Sequence, residues 1–270
     1  MPPLPDDAAT VRAWRPAVPG IREVLHASLA HPYPPHTHDT WTLFIVDEGA
    51  IRYDLDRRTG GEGRTMVSIL PPHVVHDGRP ATADGYRKRV VYLETDLLGE
   101  HLIGPAVDRP QFPDPAMRDE VARLHDALAC TDDALDAETR LHFIADRIRR
   151  SFGDTAPGES ATNEAAEALR AYLDTHLFEP VTLTAAATEI QASPTQVARA
   201  FATTFGITPH AYVVGRRLDA ARTRILDGQP LADVATEVGF YDQAHLTRRF
   251  KRFLSVTPGQ FAASTRHAAG

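Results

Sequence analysis

Cysteine is almost missing from this chain of 270 residues. Its one thiol, Cys130, excludes an internal disulfide and suits a reducing compartment. No apolar run reaches 18 residues and no basic-then-apolar leader is present, so the sequence predicts neither a membrane span nor a signal peptide and points to the cytoplasm. Cations are also scarce, with 29 Lys plus Arg against 36 Asp plus Glu and a net charge of −7, so the whole-chain charge gives no sign of a nucleic-acid partner. The deficit is uneven, however. Residues 163–270 hold eleven basic against ten acidic side chains, a net of +1, while the first 162 residues carry a net of −8. Within the last third the cations gather at Arg248, Arg249, Lys251 and Arg252. The length and the 43% apolar content fit two domains, each with its own core.

What the last third does contain is a pattern used twice. Leu183, Ala186, Ala187 and Ile190 form an apolar stripe at helical spacing, Ala192 and Ser193 break it, and Val197, Phe201 and Phe205 resume it. Ser193 before Pro194 is a helix start, because the serine oxygen takes an orphan N–H and proline loses nothing at the first helical position. Leu231, Val234, Ala235 and Val238 repeat the scheme, Gly239 supplies the turn, and Phe240, Leu246, Phe250 and Phe253 are predicted to anchor the next helix inward. Between the two units a helix opens at Pro209 and closes at Gly228. At about 18 residues and 1.5 Å per residue it spans roughly 27 Å, a rigid spacer that holds two recognition helices near the repeat of one DNA turn. Each unit is thus a helix-turn-helix, and the pair predicts contact with double-stranded DNA in two successive major grooves.

The DNA-facing residues follow by subtracting those committed to the core. On the second recognition helix Gln243, Ala244, Thr247 and Arg248 remain as base readers: Gln243 suits an adenine edge, Arg248 a guanine edge, and Ala244 and Thr247 a thymine methyl. His245, Arg249, Lys251 and Arg252 are placed on the phosphate side. On the first recognition helix Thr195, Gln196, Ala198 and Arg199 are the exposed set, and only Arg199 has a long charged reach. So modest a net charge predicts that further affinity comes from a dimer or from an adjacent bound protein.

The first part of the chain reads as strands. Trp41, Leu43 and Ile45 alternate with their neighbours, Glu48 and Gly49 turn, and Ile51, Tyr53 and Leu55 resume; MVSIL and the stretch from Arg87 to Glu94 continue the series. Many short strands with Gly and Pro turns predict an all-β jelly-roll barrel over 1–112. Two amphipathic helices follow within 113–152, carrying Met117, Val121, Leu124 and Leu128, then Leu135, Leu141, Ile144 and Ile148; such stripes either cap the barrel or pair with a second subunit. Small polar residues around Pro157 and Gly158 make 153–162 a linker, leaving 163–270 as an all-α DNA-binding domain.

The stretch ADVATEVGFYDQAHLTRRFKRFLSVTPGQF, with SPTQVARAFATTFGITPHAYVVGRRLDAARTRIL before it, resembles the AraC/XylS family of bacterial transcription regulators. The resemblance covers about 100 residues, and it implies that Gln243, Ala244, Thr247 and Arg248, with Thr195, Ala198 and Arg199, read bases. Tyr241 stands where the family usually has a small residue, so capping of the second recognition helix falls to Asp242. In the family the N-terminal barrel senses an effector, and HTHD followed by PPHVVHDG is similar to a paired cupin signature. The resemblance implies an effector-responsive regulator, an activator more than a repressor, working as a homodimer and, as an activator, with RNA polymerase.

His36, His38 and His76 are the candidate effector and metal residues, with Trp41 beside them. Neutral imidazoles hydrogen-bond a polar ligand or bind a borderline divalent metal such as zinc, nickel or iron. The competing reading is a cupin-type metal-dependent enzyme. Trp41 and Thr42 fill the positions where such enzymes carry a carboxylate, and Asp39 would point away from the histidine face, so a small-molecule pocket is preferred and no catalytic residue is assigned.

Overall fold

Alternating apolar residues and short turns make ten strands in the first part of the chain, which the computed structural model describes, with the rest, at residues 10–56, 58–129, 134–153, 160–254 and 256–266. Cys130 and most of the predicted linker lie outside the described residues. The strands are β1 (Thr10–Trp14), β2 (Ile21–Leu29), β3 (Tyr33–His36), β4 (Trp41–Gly49), β5 (Ile51–Leu55), β6 (Arg58–Glu62), β7 (Val67–Leu70), β8 (His76–Pro80), β9 (Tyr86–Leu93) and β10 (Gln111–Phe112). They form one sheet in the order β1-β2-β9-β4-β7-β10 and another in the order β3-β8-β5-β6. Gly49 makes the tight β4–β5 turn possible: its φ is +68°, and a Cβ there would lie 2.1 Å from the Gly85 carbonyl oxygen.

The expected closed jelly-roll barrel of cupin type is not what forms. Among the described residues neither sheet closes, because β1 and β10 remain edges of the larger sheet and β3 and β6 edges of the smaller. The domain is an open two-sheet sandwich with a shared core, in which Phe44, Val46 and Val90 of one sheet pack with Ile51, Tyr53 and Leu55 of the other. Tyr53 ties the layers together, its hydroxyl lying 3.2 Å from Ser68 Oγ and its ring edge-on to Phe44. Closure requires the first and last strands to pair, a long-range property that alternation within each strand does not encode.

The outer face of the larger sheet is covered by helices. After α1 (Thr95–Leu98), a 3₁₀ turn (Glu100–Leu102) and α2 (Ile103–Asp108) comes α3 (Pro115–Leu128), started by Asp114, whose Oδ1 accepts from the Met117 N–H at 3.0 Å. Its stripe of Met117, Val121, Leu124 and Leu128 is buried. Arg118 on α3 donates to the Val46 carbonyl at 3.1 Å, fixing the helix to β4. The stripe is therefore spent within the chain, each such side chain contributing roughly 1.5–3 kcal/mol. α4 (Ala134–Ser151) buries Leu135, Leu141, Ile144 and Ile148, as its spacing predicts.

The chain divides into two compact units, and the division falls inside α4: Met1–Thr131 with Phe143–Ala156 form one, Asp132–His142 with Pro157–Gly270 the other. The second unit is helical, comprising the first turns of α4, then α5 (Ser160–Thr175), α6 (Leu183–Ile190), α7 (Pro194–Phe205), α8 (Pro209–Leu226), α9 (Leu231–Glu237), α10 (Gln243–Leu254) and α11 (Pro258–Arg266). Ser193 and Gln196 build a complete capping box at the start of α7, with Pro194 in its first turn. Thr208 caps α8 with its hydroxyl alone, accepting from the Ala211 N–H at 3.1 Å. One core holds the second helix-turn-helix, with Leu218, Ala221 and Ile225 of α8 against Val234, Ala235, Val238, Phe240, Leu246 and Phe250. Phe253, expected inside, is 63% exposed, because Leu254 continues the stripe in the last turn of α10.

Candidate effector pocket and nucleic-acid interface

The smaller sheet brings the three histidines together. His36 at the end of β3 is the antiparallel cross-strand partner of His76 at the start of β8, and His38 lies just past β3. The ring centroids are 4.6 Å apart for His36 and His76, 4.8 Å for His36 and His38, and 5.1 Å for His38 and His76. One ring nitrogen of each lies within 4.8 Å of the others. His36 Nδ1 is 2.9 Å from the Pro34 carbonyl and His76 Nδ1 is 3.1 Å from the Val74 carbonyl. A carbonyl only accepts, so each Nδ1 carries a proton, and in the neutral ring Nε2 is the atom left to accept or ligate. Burial pushes His76 down to about 4, with His36, His38 and Lys88 lowering it further against the Val74 hydrogen bond. Burial also lowers His38, aided by His36 and Lys88. Both are neutral near pH 7, the form that accepts hydrogen bonds or ligates.

A cavity of about 330 Å³ opens beside them. Leu25, Ala27, Leu29, Phe44 and Leu70 supply apolar walls, while Tyr33, Thr42, Lys88 and Tyr92 join the histidines as polar lining. That volume is at the small end of the roughly 300–1,000 Å³ typical of small-molecule sites. Lys88 is buried, its Nζ donating to the Tyr33 hydroxyl at 2.9 Å and lying 4.7 Å from the centre of that ring. Trp41 does not reach this site. It is fully buried, and it lies on the face of β4 opposite Thr42 and Phe44, so it is a core residue. Asp39 is paired with Arg22 and is not among the clustered ligand candidates, and His73 is exposed outside the trio.

Lys88, Tyr33 and Tyr92 escape a reading of the sequence alone. Tyr86, Lys88, Val90 and Tyr92 alternate on the inward face of β9, and a lysine in phase with three such neighbours is the signal. The buried Val91 and Leu93 blur it, because both faces of the strand are covered.

The second recognition helix offers an open face. Gln243, Ala244, Arg248, Lys251 and Arg252 of α10 are exposed, and Thr247 and Arg249 are half-buried. Asp242 caps the helix, its Oδ1 accepting from the His245 N–H at 2.6 Å. His245 itself departs from the expected phosphate side: it is 6% exposed, edge-on to the Phe240 ring, with Arg249 Nε donating to its Nε2 at 3.3 Å. It packs the turn and is shut off from solvent.

The first recognition helix is more enclosed. Ala198, expected to be exposed, is wholly buried; it lies only about 60° around the helix from Phe201, inside the covered flank. Thr195 and Arg199 are half-buried, and Gln196 is exposed but engaged in the capping box. Thr195 Oγ1 lies 3.0 Å from His142 Nδ1 in α4. Beside it Glu138 of α4, fully buried, accepts from the Leu183 N–H and, at 3.1 Å, from the Thr184 N–H, closing the start of α6.

Residues 186–264 match the family model of a helix-turn-helix domain, and residues 23–145 match that of an AraC-like ligand binding domain. The probable transcriptional regulator LumQ of Photobacterium leiognathi is 31% identical over 91 residues, 33% of this chain and 37% of that one. The virulence regulon transcriptional activator VirF of Yersinia enterocolitica is 29% identical over 99 residues, 36% of each chain. The HTH-type transcriptional regulator ExsA of Pseudomonas aeruginosa is 25% identical over 100 residues, 37% of this chain and 36% of that one. The chain therefore spans little more than a third of the length of these relatives. The two matches lie in tandem, an AraC-like ligand binding domain model followed by a helix-turn-helix domain model.

Proposed function

We propose that the chain is a sequence-specific DNA-binding transcription regulator, not an enzyme, whose N-terminal sandwich takes a small-molecule effector in the cavity beside His36, His38 and His76. The observation that carries this reading is the face of α10, where Gln243, Arg248, Lys251 and Arg252 stand exposed on a capped helix. The domain division of the reading is an effector-sensing segment over 1–112, a dimerisation or domain-capping helical segment over 113–152, a linker over 153–162 and a DNA-binding domain over 163–270. An effector shifts DNA occupancy to the extent that it favours one arrangement of the chain over another. A net of +1 in the DNA-binding part argues for a homodimer on DNA. Activation is the sign that the similarity to VirF, a transcriptional activator, favours, and an activator would work with RNA polymerase. No helix among the described residues is long and apolar enough to cross a membrane, and the reading places the protein with the chromosome in the cytoplasm. Recovery of a discrete set of genomic fragments by the full-length protein tests it; binding indifferent to sequence at every salt concentration contradicts it.

The geometry of the histidines favours a second component of that reading, a divalent metal held by His36, His38 and His76. Three imidazole nitrogens within 4.8 Å, two rings oriented by carbonyls at Nδ1, fit zinc, nickel or iron better than magnesium or calcium, which prefer oxygen. When bound, such an ion would attract a polar or anionic part of the effector. Elemental analysis of protein purified without an affinity tag should find near-stoichiometric metal that the triple alanine variant lacks. Equal metal in both samples, or none in either, removes the ion from the account.

A further inference from the structure

The most exposed large apolar side chain among the described residues stands at the entrance to the second recognition helix: Tyr241, at 73%. With Asp242 as the cap, Tyr241 holds the position from which an apolar residue often packs back onto the fourth residue of the helix, here Leu246. It does not do so. Leu246 is wholly buried in a core built with Phe240, whose ring lies edge-on to His245, and Tyr241 stays outside that core. The backbone beneath it is nevertheless fixed from both sides. Arg217 Nη1 donates to the Gly239 carbonyl at 2.7 Å, the Phe240 N–H to the Ala235 carbonyl at 2.8 Å, and the Leu246 N–H to the Asp242 carbonyl at 3.0 Å. An ordered turn thus presents a ring that packing does not use, and the exposed run continues from it through Asp242, Gln243 and Ala244.

On DNA such a ring meets either a phosphate or a base edge, and Asp242 decides between them. Its carboxylate accepts the His245 N–H at 2.6 Å, so it occupies the helix start where a phosphate would otherwise be held, and its negative charge repels one. The apolar feature of the major groove is the thymine C5-methyl group, which suits the face of a phenol ring.

Resting on the DNA-binding reading of α10, we infer that Tyr241 is a specificity-determining residue, its ring covering a thymine methyl group at the end of the site nearest the start of that helix. It extends the sequence read beyond the bases met by Gln243, Ala244, Thr247 and Arg248.

The test is a methyl scan of the preferred duplex, itself selected from random DNA with the full-length protein. Each thymine is replaced in turn by deoxyuridine, which removes the methyl group and keeps the base pair, and affinities are measured for the wild type, Tyr241→Phe and Tyr241→Ala. At one thymine the replacement should weaken the wild type and Tyr241→Phe by about fourfold, the contribution of one buried methyl group, and leave Tyr241→Ala unaffected. Tyr241→Ala should also bind the unmodified site about fourfold more weakly than the wild type does, with no change on scrambled DNA. Thermal unfolding of each variant confirms that it is folded. If no thymine shows this coupling to Tyr241, the inference fails. A loss in Tyr241→Phe that is the same on scrambled DNA assigns the hydroxyl to a phosphate and overturns it too. Either result leaves the DNA-binding reading standing, whereas a selection that enriches no sequence removes both.

Discussion

The two helix-turn-helix units share a plan and differ in what their recognition helices have left to offer. On α10 the residues beyond the core face outward, and its N-terminus is capped by its own Asp242. On α7 the corresponding residues are drawn inward: Ala198 is buried, Gln196 is part of the capping box, and Thr195 meets His142. Their supports differ as well. The first unit is held by an acid, Glu138, on two backbone N–H groups; the second is held by a base, Arg217, on three carbonyls, those of Leu177, Gly239 and Glu179 at 2.7, 2.7 and 2.6 Å. The duplication is one of fold, and of the two recognition helices α10 keeps the more open polar face.

The largest effect is expected at Arg217. Arg217→Met strands three carbonyls around the turn at Gly239 and should destabilise the helical unit by about 3 kcal/mol in chemical denaturation. Gly239 can give no compensation, since its φ is +80° and a Cβ would lie 2.7 Å from the Phe178 carbonyl oxygen. Glu138→Ala, at the matching support of the first unit, leaves two N–H groups short of an acceptor and should cost about 1–3 kcal/mol. A loss there with DNA affinity intact would sharpen the contrast, and a loss of all DNA binding would break it.

Acid should loosen the first unit. His210, at the start of α8, is held below its ordinary value by burial, with Asp136 at 3.3 Å raising it and Arg140, Arg217 and Arg252 lowering it. A depressed histidine contributes stability that is present above the unfolded value of about 6.5 and is lost as pH falls through the folded one. The urea midpoint of the helical unit should therefore drop between about pH 7 and pH 5, and His210→Gln should flatten that drop. Smaller still is the effect of Lys251→Ala: a uniform weakening across DNA sequences, with the salt dependence reduced by about one phosphate contact.

Local signals made the helical unit legible. Ser193 with Pro194, Thr208 with Pro209 and Gly239 declare helix ends through atoms a few residues away, and the stripes between them name the core. Ala198 and His245 could not be placed that way, because what covers them comes from the packing of other elements. The same limit applies to the N-terminal domain. Its strands follow from alternation, and the convergence of the three histidines follows from His36 and His76 occupying paired strand ends. Whether the sheets close does not follow, and neither does the role of Lys88 on a strand buried on both faces. Nor does anything near Glu138 announce that it will cap a helix 45 residues later.

The most direct test of unequal reading heads is a paired affinity measurement on the preferred DNA site and on a scrambled one, with Arg248→Ala beside Arg199→Ala in the full-length protein. The account predicts a loss of about 1–3 kcal/mol for Arg248→Ala that is confined to the preferred site, and less than about 1 kcal/mol for Arg199→Ala. Equal losses for the two variants, or a loss at Arg248 that is the same on scrambled DNA, would contradict it.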